Sequence, residues 1–126
     1  MYQAYGLLQP GNDFNWNTAV ERLRARLPHL TSRRDGDRLT LSSAGWEIHL
    51  VLNTGATVLQ DSADIAEKIA GDIDGTDIAR CDRRIEVSSD VSDPFMEHFN
   101  DFLGVVEVLR SFKGIIAVDP REPSLM

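Results

Sequence analysis

One cysteine, Cys81, and three histidines, His29, His49 and His98, are the only thiol and imidazole metal ligands in the 126 residues. A lone cysteine excludes an intrachain disulfide and argues against a cysteine-based zinc site within one chain. The histidines stand far apart, none with a partner at metal-ligand spacing, so neither a metal nor a cofactor is expected. No apolar run approaches the roughly 18 residues of a membrane span, and no membrane partner is expected. The first five residues carry no basic segment of the kind that opens a secretory signal, so the expected compartment is the cytoplasm. Basic charge is scarce too: 13 Lys and Arg stand against 20 Asp and Glu, a net charge of −7. That argues against non-specific binding to nucleic acid or anionic lipid, which needs a basic surface. Also absent are a Gly-x-Ser-x-Gly elbow, a Walker loop, a dinucleotide fingerprint and a His-Glu-x-x-His pair. Cys81 does neighbour Arg83 and Arg84, whose charges can lower a thiol pKa. With no histidine beside it in sequence, it reads as a packing cysteine at the start of a strand.

What is present reads as one globular domain over residues 1–126. Hydrophobic residues at 42% and charged residues at 26% exclude disorder and fibrous classes, and the length suffices for a proper core. The chain is organised around residues 92–120. Asp93-Pro94 is a helix-start signal, with Asp93 placed to cap free amides and Glu97 adding negative charge near the positive end of the dipole. Lys113-Gly114 is the stop, residues 115–118 form a buried strand, and Pro120 ends it. Steps of 100° put Phe95, Met96, Phe99, Phe102, Leu103, Val105, Val106, Leu109 and Phe112 on one wide arc. Glu97, Asn100, Asp101, Gly104, Glu107 and Ser111 share the other, with Val108 the exception. Such an arc predicts a helix over 94–112 pressed into the core.

The remaining elements follow in order. Residues 2–8 read as a strand stopped by Pro10-Gly11. Thr18 and Glu21 form a capping box before a helix whose inward stripe is Val20, Leu23, Leu27 and Leu30. Arg22 and Arg26 lie off that stripe on a solvated face. Residues 33–37 read as a charged turn. Residues 39–42 and 46–52 form a hairpin, because Trp46, Ile48, Leu50 and Leu52 alternate with Glu47 and His49. A helix is expected over 62–70, capped by Asp61 or Ser62, with Ile65, Ala66 and Ile69 inward and Gly71 as stop. Residues 72–77 superficially resemble a calcium loop. Setting Gly75 at the sixth position puts Ala70 first and Cys81 twelfth, so two obligatory ligands fail and a polar connection is expected. Residues 83–88 read as a strand. The first six elements, strand-helix-strand-strand-helix-strand, match the ferredoxin-like pattern. The expected fold is therefore α+β, a mixed or antiparallel sheet of that pattern extended by a long C-terminal helix and a final strand.

Charge is uneven along the chain. Residues 1–60 hold six arginines against five acids, a balance of +1, whereas residues 61–126 hold seven basic residues against fifteen acids, a balance of −8. This points to a non-catalytic protein-binding module, of an inhibitor or immunity type, that meets a basic protein through an acidic face. Its candidate residues are Asp72, Asp74, Asp77, Asp90, Asp93, Glu97 and Asp101. The alternative is a small-ligand or regulatory domain with an aromatic-lined pocket drawn from Tyr5, Trp16, Trp46 and His49.

Overall fold

A computed structural model describes residues 2–69 and 75–126. Among them the chain forms one antiparallel sheet of seven strands, with four helices divided between its two faces. The strands are β1 (Tyr2–Leu8), β2 (Thr31–Asp35), β3 (Arg38–Ser43), β4 (Trp46–Asn53), β5 (Arg83–Ser89), β6 (Ile115–Asp119) and β7 (Ser124–Leu125). The helices are α1 (Trp16–Arg26), α2 (Val58–Lys68), α3 (Gly75–Ala79) and α4 (Phe99–Arg110). Period-2 alternation splits the core in two. Ala4, Leu8, Leu39, Leu41, Ile48, Leu50, Ile85 and Val87 point to one face, where α1 and α4 cover them. Leu7, Ile116 and Val118 point to the other and meet Ile65, Ala66 and Ile69 from the α2 region and Ile78 of α3.

The hairpin takes the expected form. Leu39 lies opposite Leu50 and Leu41 opposite Ile48, and Trp46, Ile48 and Leu50 are buried in the cluster shared with α1 and α4. The ferredoxin-like order, by contrast, does not appear. The sheet runs β2-β3-β4-β5-β1-β6-β7: β4 pairs directly with β5, whereas the ferredoxin-like order would set β1 between those two strands, and β1 instead lies between β5 and β6, antiparallel to both. The cause lies between β4 and β5. A single crossover helix would deliver the next strand at the opposite end of the sheet, in parallel. Here Asn53 pairs with Arg84, so the chain re-enters at the end it left. The connection holds a second helix, α3, where the sequence suggested only a polar stretch. Asp72 and Asp74, the Ala70 position of the rejected calcium register and the expected stop at Gly71 lie outside the described residues.

Residues 33–37 also differ from expectation: Arg33 and Arg34 belong to edge strand β2, and only Gly36, at φ +61°, and Asp37 remain as turn. A charged strand is what a sheet edge favours, because charge deters pairing with another chain. Helix α1 starts at Trp16 rather than Thr18, because Asn15 Oδ1 accepts from the Thr18 amide at 2.8 Å. Helix α2 starts at Val58, and neither expected cap acts as one. Asp61 pairs with Arg84 at 3.2 Å, and Ser62 Oγ donates to the Cys81 carbonyl at 2.7 Å.

The largest departure is in the organising helix, which begins at Phe99 and not at Pro94. The Asp93 carboxylate still caps amides, those of Glu97 and His98 at 3.0 and 2.9 Å. They belong to a separate turn, however, and Met96 at φ +55° breaks the helical path between. The apolar arc from Phe102 to Phe112 is buried as expected, but Gly104 and Val108 are buried too because α1 packs across the opposite side. A Cβ on Gly104 would stand 3.0 Å from Leu27 Cδ2, and Arg26 of α1 pairs with Glu107 at 3.1 Å.

Candidate functional site

The loop between β5 and α4, residues 90–98, is anchored at both ends and exposed in the middle. Register brings its start beside the N-terminus of β1, since Ser89 lies opposite Tyr2. The Tyr2 hydroxyl donates to Asp93 Oδ2 at 2.6 Å, and the same carboxylate receives the Glu97 and His98 amides. Burial pushes the Asp93 carboxyl up, but hydrogen bonds from Tyr2 and the two amides, with the nearby His98 ring, outweigh it and hold the group below the ordinary aspartate range. Burial, reinforced by the bond to Asp93 and its charge, pushes the Tyr2 hydroxyl up to about 12. The pair therefore stays as neutral phenol and charged carboxylate through the neutral range.

At the far end, the His98 ring lies flat on Trp46, centroids 4.4 Å apart and planes 5° from parallel. Its Nδ1 donates to Asp101 Oδ2 at 3.1 Å, and His29 Nε2 donates to the other oxygen of Asp101 at 2.7 Å. Tyr2 in turn stacks on Phe102 of α4 at 5.1 Å. Each anchor is thus tied to the sheet or to α4.

Between the anchors, Phe95 is 84% and Met96 57% exposed. An apolar pair so exposed, with one member in the left-handed region that non-glycine residues seldom occupy, is costly to maintain for packing reasons alone. Exposed carboxylates bracket it: Asp90 precedes the loop's turns and Glu97 follows Met96. The result is a short, preorganised apolar knob with an exposed carboxylate on either side of it in sequence. Central apolar anchors with a charged rim are the usual anatomy of a protein-binding hot spot.

Four of the acids expected from sequence therefore meet here, in two different roles. Asp90 and Glu97 face solvent, whereas Asp93 and Asp101 are turned inward as structural acceptors. Asp77 is elsewhere, on α3 beside Arg80 and Lys113, lining a cavity of about 210 Å³ with Pro10 and Gly11. That is the Leu8 end of β1, roughly 20 Å from Tyr2 at about 3.3 Å per residue. The described acids do not form one continuous face.

The aromatic pocket does not assemble. Trp16 and Trp46 are buried on the side of α1 and α4, while Tyr5 and His49 belong to the opposite sheet face. Trp46 and His49 are an odd number of residues apart on one strand, so they cannot share a face. Tyr5 sits beneath the Arg84 guanidinium at 4.1 Å, and His49 lines a separate cleft of about 420 Å³ on β2, β3 and β4. Cys81 is buried, and burial first, then Asp82 and Asp77, pushes its thiol up to about 11, away from nucleophilic use. Phe95 and Met96 were assigned to the core by periodicity. Asp93-Pro94 gives no warning, since a helix cap is non-helical in any case, and nothing local marks Met96.

Among the described residues no group of three or more His, Cys, Asp or Glu side chains is placed to hold a metal ion. Nor is any helix there long and apolar enough to cross a membrane. No protein-family model, curated protein or solved structure matches this chain.

Proposed function

We propose that this chain is a non-catalytic protein-binding module of the inhibitor or immunity type, which docks on a basic protein through residues 90–98. The observation that carries this reading is the solvent-exposed Phe95–Met96 pair, held in a strained turn by the Asp93 carboxylate. Preorganisation of this kind raises affinity by removing the ordering cost that a floppy loop bears on binding. Phe95 and Met96 supply the apolar anchors, and Met suits a surface that must adapt to a partner's pocket. Asp90 and Glu97, within a chain of net charge −7, select a basic partner and speed its encounter. The acid-rich second half supports the same partner class, with Asp90 and Glu97 as its contact residues.

The test is side-by-side capture from the source cell with immobilised wild type and Phe95→Ala/Met96→Ala. A basic protein retained by the wild type and lost by the double variant supports the module. Recovery of the same proteins on both surfaces refutes it.

A further inference from the structure

The open face of β2, β3 and β4 carries a second site, independent of the docking loop. Helices α2 and α3 cover the sheet face formed by β1 and β6, and the cluster they bury includes no residue of β2, β3 or β4. Across the uncovered part, register aligns Arg33, Thr40, His49 and Ser88 directly opposite one another on successive strands. The cleft there, about 420 Å³, is lined by Arg33, Asp35, Arg38, Thr40, Glu47 and His49. That volume suits a small molecule.

Its floor is ordered. Arg38 Nη2 lies 3.1 Å from His49 Nδ1, as does Thr40 Oγ1. A guanidinium only donates, so Nδ1 accepts and Nε2 carries the ring proton, a free donor on the cleft. Thr40 is buried beneath. The walls carry two charges of each sign, Arg33 and Arg38 against Asp35 and Glu47. Asp35 stands directly across from Arg38, yet Arg38 turns to His49 instead. Among the described residues the Arg33, Asp35 and Glu47 side chains make no ion pair or side-chain hydrogen bond.

Those charges constrain the ligand. A simple anion would face Asp35 and Glu47, and a simple cation would face two guanidinium groups. With no aliphatic side chain and no ring but the His49 imidazole in the lining, an apolar molecule gains little. We infer that the cleft binds a small zwitterion of the amino-acid class, its carboxylate on Arg33, Arg38 and His49 Nε2–H, and its ammonium group on Glu47, two residues from His49 on the same strand. Arginine matches a carboxylate with paired, charge-assisted hydrogen bonds, and Glu47 supplies the complementary acceptor.

The experiment is amide chemical-shift titration of the isotope-labelled protein with each of the free α-amino acids at concentrations up to about 10 mM. At least one should shift the Thr40, Glu47 and His49 amides saturably. For that amino acid, Arg38→Gln and Glu47→Gln should each weaken binding about tenfold, the loss of one charge-assisted contact. Its N-acetyl and carboxamide derivatives, each lacking one charge, should bind as weakly as the variants. An unchanged amide spectrum away from the cleft verifies that the variants are folded. The inference is overturned if no amino acid shifts these amides, if either blocked derivative binds as well as its parent, or if the shifts fall elsewhere.

Discussion

Replacing Phe102 with alanine tests whether α4 belongs to the core while the loop before it is surface. Phe102 is 4% exposed, stacks on Tyr2 with centroids 5.1 Å apart, and lies in the cluster between the sheet, α1 and α4. Truncating a buried phenylalanine typically costs about 3–5 kcal/mol through lost transfer energy and the cavity left behind. The Tyr2 stack contributes about 0.5–1.5 kcal/mol beyond burial, which places Phe102→Ala toward the upper part of that range. At a urea slope of about 2 kcal/mol per molar, the unfolding midpoint should fall by roughly 2 M. Phe95→Ala is the paired control: at 84% exposure it should change stability by less than about 0.5 kcal/mol. Phe99, half-buried beside Tyr2, should fall between the two. Urea melts followed by tryptophan fluorescence read all three. Equal small losses would show that α4 is peripheral, and a large loss for Phe95→Ala would mean that the loop is packed rather than presented.

Other substitutions and conditions probe the remaining supports. Gly114 has φ +82°, and a Cβ there would stand 2.9 Å from Asn12 Cα, so Gly114→Ala should cost about 2–4 kcal/mol in denaturant melts; a neutral result would contradict the tight β6 entry. Arg84 is nearly buried between Asp61 and Glu86 at 3.2 and 2.8 Å. Both acids are partly exposed, so Arg84→Ala should cost about 2–3 kcal/mol, below the 3–5 of a fully buried pair. Folding raises the Tyr2 hydroxyl from 10.0 to about 12 and the Cys81 thiol from 9.0 to about 11. The unfolded chain therefore ionises first, and stability that is intact below pH 9 should fall as pH rises toward 12. Tyr2→Phe should remove the upper part of that fall and Cys81→Ala the lower. Asp93, held below its ordinary 3.8, acts in the opposite sense: its contribution is present above that value and is lost as pH falls through the lower folded value, a loss that Asp93→Asn should abolish.

Elements with strong periodicity were legible in the sequence. Alternation in residues 46–52 set both the hairpin and the face that Trp46, Ile48 and Leu50 present to the helices. The stripe from Phe102 to Phe112 marked the core helix. Strand order was not legible, because it turns on whether one helix or two separate β4 from β5, and α3 is only five residues long. The exposed loop before α4 was hidden for a different reason. Phe95 and Met96 continue the helical period, so hydrophobicity alone places them inward. The turn that carries them is tied to β1 by a long-range bond, Tyr2 to Asp93 across 91 residues, which no local pattern contains. Charge located the acids but not their roles. Asp93 and Asp101 differ from Asp90 and Glu97 only in the partners that folding brings to them.

In the proposed module Phe95 and Met96 anchor a basic partner, and Asp90 and Glu97 supply the charge that attracts it. Association and dissociation rates of the captured partner, measured across a salt series, test it most directly. Rim charges govern encounter and apolar anchors govern residence. Asp90→Asn/Glu97→Gln should therefore lower the association rate. The wild-type rate should itself fall as the Debye length shrinks from about 10 Å at 0.1 M to about 3 Å at 1 M. Phe95→Ala should instead speed dissociation, by at least about tenfold for an anchor worth about 1.4 kcal/mol or more. An acidic partner, an association rate indifferent to salt, or a dissociation rate unchanged by Phe95→Ala would contradict the account.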